Sequence, residues 1–259
     1  MTETRRPLMA GNWKMHKTRP EAAEFFAGFL PQVAGADDRD VLLCVPFTSL
    51  ATALDATGGT DVAVGAQTMH NADTGAYTGE VAPAMLVDVG VPYVILGHSE
   101  RRQYYAETDA DLSLKVRAAL DHGLRPILCV GETLDEREAR TTADRLVGQL
   151  TADLAEVTPD ELPKVAVAYE PIWAIGTGET AGPEQAEETI GVIRRWIADT
   201  YGEREAAAVR ILYGGSVNPD NIASLIAQAN IDGVLVGGAS LDPDSFARIV
   251  VAADTHRGV

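Results

Sequence analysis

Short apolar runs recur along the whole chain, and each is continuous rather than alternating with polar residues. They lie at 8–13, 41–46, 62–67, 93–98, 126–131, 165–170, 210–215 and 233–238. Continuous runs of this length are typical of parallel strands that are buried on both faces of a sheet. The sequence therefore predicts eight β-strands at these positions.

Most intervals between the runs hold amphipathic segments of helical length, and several begin with helix-start signals. Thr18 and Glu21 have the spacing of a capping box. Proline follows a residue that can precede or cap a helix at Gly182-Pro183, Asn218-Pro219 and Asp242-Pro243. We expect a helix to begin at each place, and the one at Pro183 to run to about Tyr201.

Strands that alternate with helices predict a parallel sheet. A doubly wound sheet and a closed barrel both satisfy that alternation. Eight strand–helix units with no further segment left over favour the barrel, and 259 residues suit one such domain. We therefore predict an α/β fold, a (β/α)8 barrel of eight parallel strands surrounded by helices, as a single domain over residues 1–259.

The chain is strongly acidic, with 21 Lys and Arg against 38 Asp and Glu and a formal net charge of −17. Such a charge argues against a nucleic-acid backbone or an anionic membrane as the main partner. If the substrate carries a phosphate, the positive field that binds it must be local. A few cationic side chains and exposed backbone N–H groups would have to supply that field.

The two cysteines, Cys44 and Cys129, each lie inside an apolar run, which indicates buried free thiols. We find no disulfide framework and no metal-ligand spacing, so no metal is expected. The first residues contain two arginines but no apolar segment of a signal peptide, and no run approaches the ~18 apolar residues of a membrane span. We expect a cytoplasmic protein.

In a barrel of this type, functional residues gather at the carboxyl ends of the strands. Asn12 and Lys14 follow the first run, and lysine is rare here, with four lysines against seventeen arginines. Its compact ammonium suits a phosphate or a developing oxyanion. His98 follows the fourth run at a predicted helix start, where the helix N-terminus favours a neutral ring that can donate a hydrogen bond. Glu100-Arg101 could be an ordinary solvated charge run.

Glu170 ends the sixth apolar run, where an unpaired carboxylate would be costly without a purpose, although pairing with a nearby cation would also explain it. The next residues combine proline and tryptophan with small residues, a composition that suits a lid with exposed N–H groups at its tip. The predicted lid comprises Pro171, Ile172, Trp173, Ala174, Ile175, Gly176, Thr177 and Gly178. Glycine pairs at 214–215 and 237–238 each precede a predicted short helix and together suggest an anion site.

Four segments resemble the triosephosphate isomerase family, in the order in which that family carries them. They are AGNWK (10–14), LGHSERR (96–102), AYEPIWAIGTG (168–178) and YGGSV (213–217), and the resemblance continues to residue 241. It implies an isomerase that interconverts dihydroxyacetone phosphate and D-glyceraldehyde 3-phosphate through an enediolate, in glycolysis and gluconeogenesis, without a cofactor.

The resemblance also implies a role for each matching residue. Glu170 would be the base, His98 the neutral electrophile, and Lys14 with Asn12 would stabilise the enediolate oxygen and the phosphate, with Glu100 behind them. The implied phosphate ligands are Gly176, Ser216, Gly237 and Gly238.

Members of this family are usually homodimers, and the segment 65–80 resembles the loop that enters the neighbouring subunit. Gln67, Tyr77 and Thr78 are the implied interface residues. Three positions depart from the usual family pattern, namely His16, Thr68 and Glu179. His16 and Thr68 fall near the implied interface, so the sequence does not define its detailed contacts. Glu179 follows the tip of the predicted lid and bears on lid opening.

Two other functions are weaker alternatives. A Schiff-base aldolase or another sugar-phosphate barrel enzyme would need a lysine within a late strand, whereas Lys115 and Lys164 lie outside the apolar runs. A barrel retained only as a binding protein could lose catalytic residues. This chain keeps the lid and all four candidates, namely Asn12, Lys14, His98 and Glu170.

Overall fold

The computed structural model describes residues 5–174 and 181–252, and its strands form a closed parallel barrel in sequence order, with the last strand paired to the first. The strands are β1 (Leu8–Asn12), β2 (Asp40–Cys44), β3 (Val62–Ala66), β4 (Tyr93–Leu96), β5 (Arg125–Val130), β6 (Ala166–Tyr169), β7 (Ile211–Tyr213) and β8 (Gly233–Val236). The predicted fold class is thereby confirmed.

Helices surround the barrel and connect successive strands. They are α1 (Arg19–Val33), α2 (Leu50–Thr57), α3 (Pro83–Asp88), α4 (Ser99–Tyr104), α5 (Asp109–Asp121), α6 (Leu134–Glu138), α7 (Thr142–Asp153), α8 (Pro183–Tyr201), α9 (Glu203–Ala208), α10 (Ile222–Ile226) and α11 (Pro243–Ala252). Among the described residues, no helix is long and apolar enough to cross a membrane.

The barrel strands bury both of their faces, which explains why their sequences are continuously apolar. One set of side chains fills the barrel interior, including Leu8, Leu42, Ile95 and Ile127. The alternate set, with Met9 and Val41 among it, packs outward against the helices in a second cluster. Alternation along each strand divides a single apolar run between two separate cores.

An aromatic cluster joins the first and last helices where the barrel closes. Phe29 on α1 stacks on Phe246 of α11 with 5.3 Å between ring centroids. Trp13, just after β1, contacts Phe25 and Phe26 edge-on or tilted at 4.9 and 5.5 Å. The cluster therefore links the segment after the first strand to both ends of the helical ring.

Most predicted helix starts are confirmed. The backbone N–H of Thr18 donates to the Glu21 carboxylate at 2.7 Å, and α8 spans the predicted Pro183–Tyr201. Asp242 caps α11 by accepting the N–H of Ser245 at 2.8 Å.

The helix predicted to begin at Asn218-Pro219 begins later in the chain. The Asn218 side chain accepts the N–H groups of Asp220 and Asn221, at 2.9 and 3.1 Å, which are the contacts of an N-cap. Residues 219–221 form a turn, however, and helix α10 begins only at Ile222. Asparagine followed by proline favours turns as well as caps, and both features are present here.

We expect Phe29→Ala to lower the free energy of unfolding by about 3–5 kcal/mol, because it leaves a cavity in the aromatic cluster that connects α1 and α11. Urea unfolding followed by tryptophan fluorescence and circular dichroism would measure the change. Leu114→Ala is the matched control, since Leu114 on α5 is 47% exposed and its truncation should cost no more than about 0.5 kcal/mol. Equal losses in the two variants would contradict a special role for the cluster.

Candidate active site

A cavity of about 270 Å³ opens at the carboxyl ends of the strands. Its lining brings together ten of the residues that the sequence singled out, namely Asn12, Lys14, His98, Glu170, Ala174, Gly214, Gly215, Ser216, Gly237 and Gly238. They come from the ends of five different strands, so only the closed barrel makes them neighbours.

Glu170 directly follows β6 and lies at the floor of this cavity, with 2% of its surface exposed. Its Oε1 lies 3.0 Å from His98 Nε2, and its Oε2 accepts the backbone N–H of Ser99 at 2.8 Å. Burial alone would raise the pKa of this carboxyl. The contact with His98 and the Ser99 N–H together outweigh burial and hold the Glu170 pKa below its ordinary value. The carboxylate is therefore ionised at neutral pH, as a base must be.

His98 is the N-cap of α4, and its two ring nitrogens have different partners. Nδ1 accepts the backbone N–H of Glu100 at 3.2 Å, so the proton of the neutral ring lies on Nε2, which points at Glu170. Burial lowers the His98 pKa, but the charge of Glu170 outweighs it and the pKa is raised. The helix N-terminus therefore does not alone set the His98 pKa, which the charge of Glu170 raises while the two side chains are in contact. The sequence could not show how close Glu170 lies.

Lys14 follows β1 in a left-handed backbone conformation, with φ of 53°. Its N–H donates to Asn12 Oδ1 at 3.0 Å, which fixes the turn, and its Nζ lies 2.6 Å from Glu100 Oε1. A Cβ on Gly237 would lie 3.5 Å from Lys14 Cε, so the lysine passes beside the second glycine pair. Glu100 is thus the carboxylate that holds the lysine, rather than part of a solvated charge run.

The two glycine pairs line the cavity but lead into different local structures. Gly237-Gly238 leads directly into a 3-10 turn at Gly238–Leu241. After Gly214-Gly215 the chain forms a loop through Ser216, and helix begins only at Ile222, so the predicted helix start there is wrong. Of the two pairs, only Gly237-Gly238 stands at the start of a helix and can offer the exposed N–H groups of a helix N-terminus.

The beginning of the predicted lid is held by a buried carboxylate that the sequence analysis missed. Trp173 Nε1 and Tyr169 Oη donate to the same Glu132 oxygen, at 2.9 and 3.0 Å. The signal was present, because Glu132 follows the β5 run much as Glu170 follows the β6 run. Pro171 precedes a 3-10 turn over Ile172–Ala174, whereas Ile175, Gly176, Thr177, Gly178 and Glu179 lie outside the described residues.

A second cavity of about 170 Å³ adjoins the first and contains Gln67 and Thr68. Its rim carries apolar side chains that are open to solvent, among them Met15 with 92% of its surface exposed. Tyr77 and Thr78 are exposed on the loop that follows β3, and Tyr77 stacks on His70 with 4.1 Å between ring centroids.

Within the described part of the chain, no group of His, Cys, Asp and Glu has the arrangement of a metal site. Cys44 and Cys129 are buried free thiols, as predicted. Burial raises the pKa of both, which keeps them protonated and inert.

Comparison with known proteins agrees with this arrangement. The family model described as triosephosphate isomerase matches residues 7–253. A triosephosphate isomerase of Symbiobacterium thermophilum is 53% identical over 98% of this chain and 99% of its own length. Those of Solibacter usitatus and Chloroflexus aurantiacus are each 52% identical, over 95% and 94% of this chain and 99% and 98% of their own lengths. The chain belongs to the triosephosphate isomerase family.

The departures from the usual pattern of the triosephosphate isomerase family fall in different places. Thr68 lies in the second cavity, and its Oγ1 is buried without a hydrogen-bond partner among the described residues. His16 is exposed near the start of α1, apart from that cavity. Thr68 therefore lies in the same cavity as Gln67, whereas His16 lies outside it.

We expect His98→Ala to raise the pKa of Glu170 above its value in the parent protein. The substitution removes the main group that favours the carboxylate, while burial, which raises the pKa, remains. Carbon-detected NMR titration of the glutamate carboxyls would measure the shift, with Glu170→Gln identifying the signal. Because the parent pKa is depressed, stability from this group is present above the unfolded value of about 4.3 and is lost as the pH falls through the folded value. An unchanged pKa in His98→Ala would contradict this account.

Proposed function

We propose that this chain interconverts dihydroxyacetone phosphate and D-glyceraldehyde 3-phosphate by proton transfer through an enediolate. One observation carries the proposal. An ionised, buried Glu170 carboxylate faces the Nε2 of His98 at 3.0 Å, in a cavity that Lys14 also enters. A base, a hydrogen-bond donor and a cation are the groups that abstraction of a proton next to a carbonyl requires.

Glu170 is the base in this mechanism. Desolvation increases the basicity of a carboxylate, while the Ser99 N–H retains it in the ionised form. When the carboxylate turns to the substrate carbon, it leaves His98. The largest influence that raises the His98 pKa is then removed.

His98 acts as the neutral electrophile once that contact is broken. Burial and the Glu100 N–H on Nδ1 then both favour the uncharged ring, whose Nε2–H can donate to the substrate carbonyl. A neutral donor stabilises the enediolate without giving up a full proton. The His98 pKa is raised while Glu170 contacts the ring, and the ring is neutral once Glu170 has turned to the substrate. The two statements agree because Glu170 has a different position in each state.

Lys14 supplies the local positive charge in this acidic chain. Its ammonium, oriented by Glu100 and by the turn that Asn12 fixes, serves the enediolate oxygen and the phosphate. Ser216, Gly237 and Gly238 line the same cavity and bind the phosphate through hydrogen bonds. Gly176 completes this set, with the lid residues 171–178 excluding water so that the intermediate keeps its phosphate.

The remaining lysines speak against a Schiff-base mechanism. Lys17 lies over the Phe25 ring, 5.0 Å from its centroid, and outside the cavity. Lys115 lies on α5 in an ion pair with Glu107, and Lys164 is exposed before β6. The reaction needs no cofactor, and we place it in the cytoplasm as a step of glycolysis and gluconeogenesis.

We expect purified protein to convert glyceraldehyde 3-phosphate rapidly, and Glu170→Asp to reduce kcat about 100-fold, because the shorter side chain withdraws the base from the carbon. A coupled spectrophotometric assay measures both. Glu156→Asp, at an exposed site, is the matched control and should retain parental activity. A folded parent without turnover, at concentrations that permit dimers, would overturn the proposed reaction.

We also propose that the chain works as a homodimer in which the loop carrying Tyr77 and Thr78 enters the Gln67 cavity of a second copy. The exposed loop and an open cavity rimmed by Met15 are complementary features of one surface. That cavity also contains Asn12, Lys14 and His98, so the partner's loop would support the active site directly.

Thr78→Arg should convert the dimer to a monomer and reduce kcat by about 10-fold or more, because an unpaired guanidinium would be buried in the cavity. Analytical ultracentrifugation over a concentration series gives the mass. Thr200→Arg, on an exposed site of α8, is the control for the added charge. A dimer of unchanged stability in Thr78→Arg would exclude this loop from the interface.

A further inference from the structure

Helix α7 buries two polar side chains, Gln149 and Asp153, that the mechanism does not use. They are 1% and 0% exposed and lie one helical turn apart on the face that packs against the barrel. Leu146 and Leu150 occupy the same buried face with the same spacing, so the helix does not need polar groups for packing.

Gln149 is bound to the backbone beneath Glu170. Its Oε1 accepts the N–H of Gly131, just beyond the end of β5, at 2.9 Å. A Cβ at Gly131 would come within 1.9 Å of the Glu170 carbonyl oxygen, so these two backbones are in tight contact. The amide side chain thus fixes the peptide on which Glu170 rests.

The residues on either side of Gly131 hold the chain around Glu170 as well. Glu170 N–H donates to Val130 O at 2.8 Å, and Ile172 N–H donates to Glu132 O at 3.1 Å. A shift of the Gly131 peptide would therefore move both the base and the start of the lid.

Asp153 is connected to the backbone next to His98 through Arg102. Its Oδ2 accepts Arg102 Nη2 at 2.6 Å, and the same guanidinium donates from Nε to the Gly97 carbonyl at 2.8 Å. Gly97 immediately precedes His98, and a Cβ there would lie 3.0 Å from Arg102 Nη2. Asp109 also binds this guanidinium. Asp153 thereby fixes the peptide that carries the imidazole.

Both connections meet at the end of β5. Arg102 Nη2 also donates to Cys129 O at 3.1 Å, two residues before the Gly131 N–H that Gln149 holds. In the barrel, β5 lies between β4, which leads to His98, and β6, which leads to Glu170. Two side chains of α7 therefore bind the end of β5, one directly and one through Arg102. The same contacts hold the backbone next to Glu170 and next to His98.

We propose that Gln149 and Asp153 are positioning residues that set the separation of Glu170 and His98. The proposal rests on the proposed isomerase function for its consequence in catalysis. Its geometric part depends only on the hydrogen bonds that Gln149 and Arg102 make to the barrel backbone.

The test compares Gln149→Met and Asp153→Leu, which remove the acceptors at similar size, with Asp153→Asn, which retains one. Burial raises the pKa of Asp153 to about 7, although the charge of Arg102 lowers it. Asparagine has the shape of the protonated carboxyl group and is therefore a conservative replacement. Leu146→Ala is the matched structural control, because it disturbs the same buried helix face without removing either connection.

We expect kcat to fall about 10-fold in Gln149→Met and in Asp153→Leu with KM changed less than about 3-fold, because a small displacement of a catalytic group lowers the rate more than it lowers binding. Asp153→Asn should recover most of the loss. Leu146→Ala should lose stability, measured by urea unfolding, yet retain kcat within about 2-fold. If kcat followed stability across all four variants, the role would be structural and the proposal overturned.

A second readout separates this proposal from the proposed reaction. The NMR titration of Glu170 reports its contact with His98 whether or not the protein turns over. Gln149→Met and Asp153→Leu should move the Glu170 pKa away from its parental value, and Leu146→Ala should not. If the pKa moves but the parent shows no isomerase activity, only the proposed function fails. If the pKa stays unchanged in both variants, the positioning role fails.

Discussion

The active site depends on the cost of burying the Glu170 carboxylate. Removed from water, this side chain needs donors, and it has two: the imidazole of His98 and the backbone N–H of Ser99. Both donors come from the end of β4, whereas Glu170 comes from the end of β6. Parallel strands have their carboxyl ends at one rim, and only β5 separates β4 from β6 in the barrel, which brings these groups close together. The strand order of the barrel thus supplies the donors that keep the buried Glu170 carboxylate ionised.

The same constraint explains how a chain of formal charge −17 can hold a phosphate ester. Lys14 provides a local cation, and Glu100 orients it without burying a second carboxylate, since Glu100 remains 37% exposed. The rest of the proposed phosphate site depends on Ser216, Gly237 and Gly238, whose backbone groups carry no net charge. The global sign therefore sets solubility, while a few groups at the rim set recognition.

Sequence reasoning predicted the parts of this arrangement that repeat. Eight apolar runs, read with the rule that function lies at their carboxyl ends, placed Asn12, Lys14, His98 and Glu170 in one cavity. It misplaced a helix start where one local signal serves two structures, as at Asn218-Pro219, where a capped turn precedes the helix that begins at Ile222. It also misjudged the direction of the His98 pKa, because the deciding charge is Glu170, 72 positions later in the chain.

Gln149 and Asp153 show why the supporting residues escape such reasoning. By helical spacing they belong to the buried face of α7, where apolar side chains are expected. Their partners, Gly131 and Arg102, lie 18 and 51 residues earlier in the chain. Replacing both partners of a buried contact such as that of Asp153 with Arg102 by apolar groups is often nearly neutral for stability, so stability alone gives little reason to keep the contact. A fixed separation of Glu170 and His98 does give one, because in the proposed mechanism Glu170 leaves His98 for the substrate and needs a defined position from which to start.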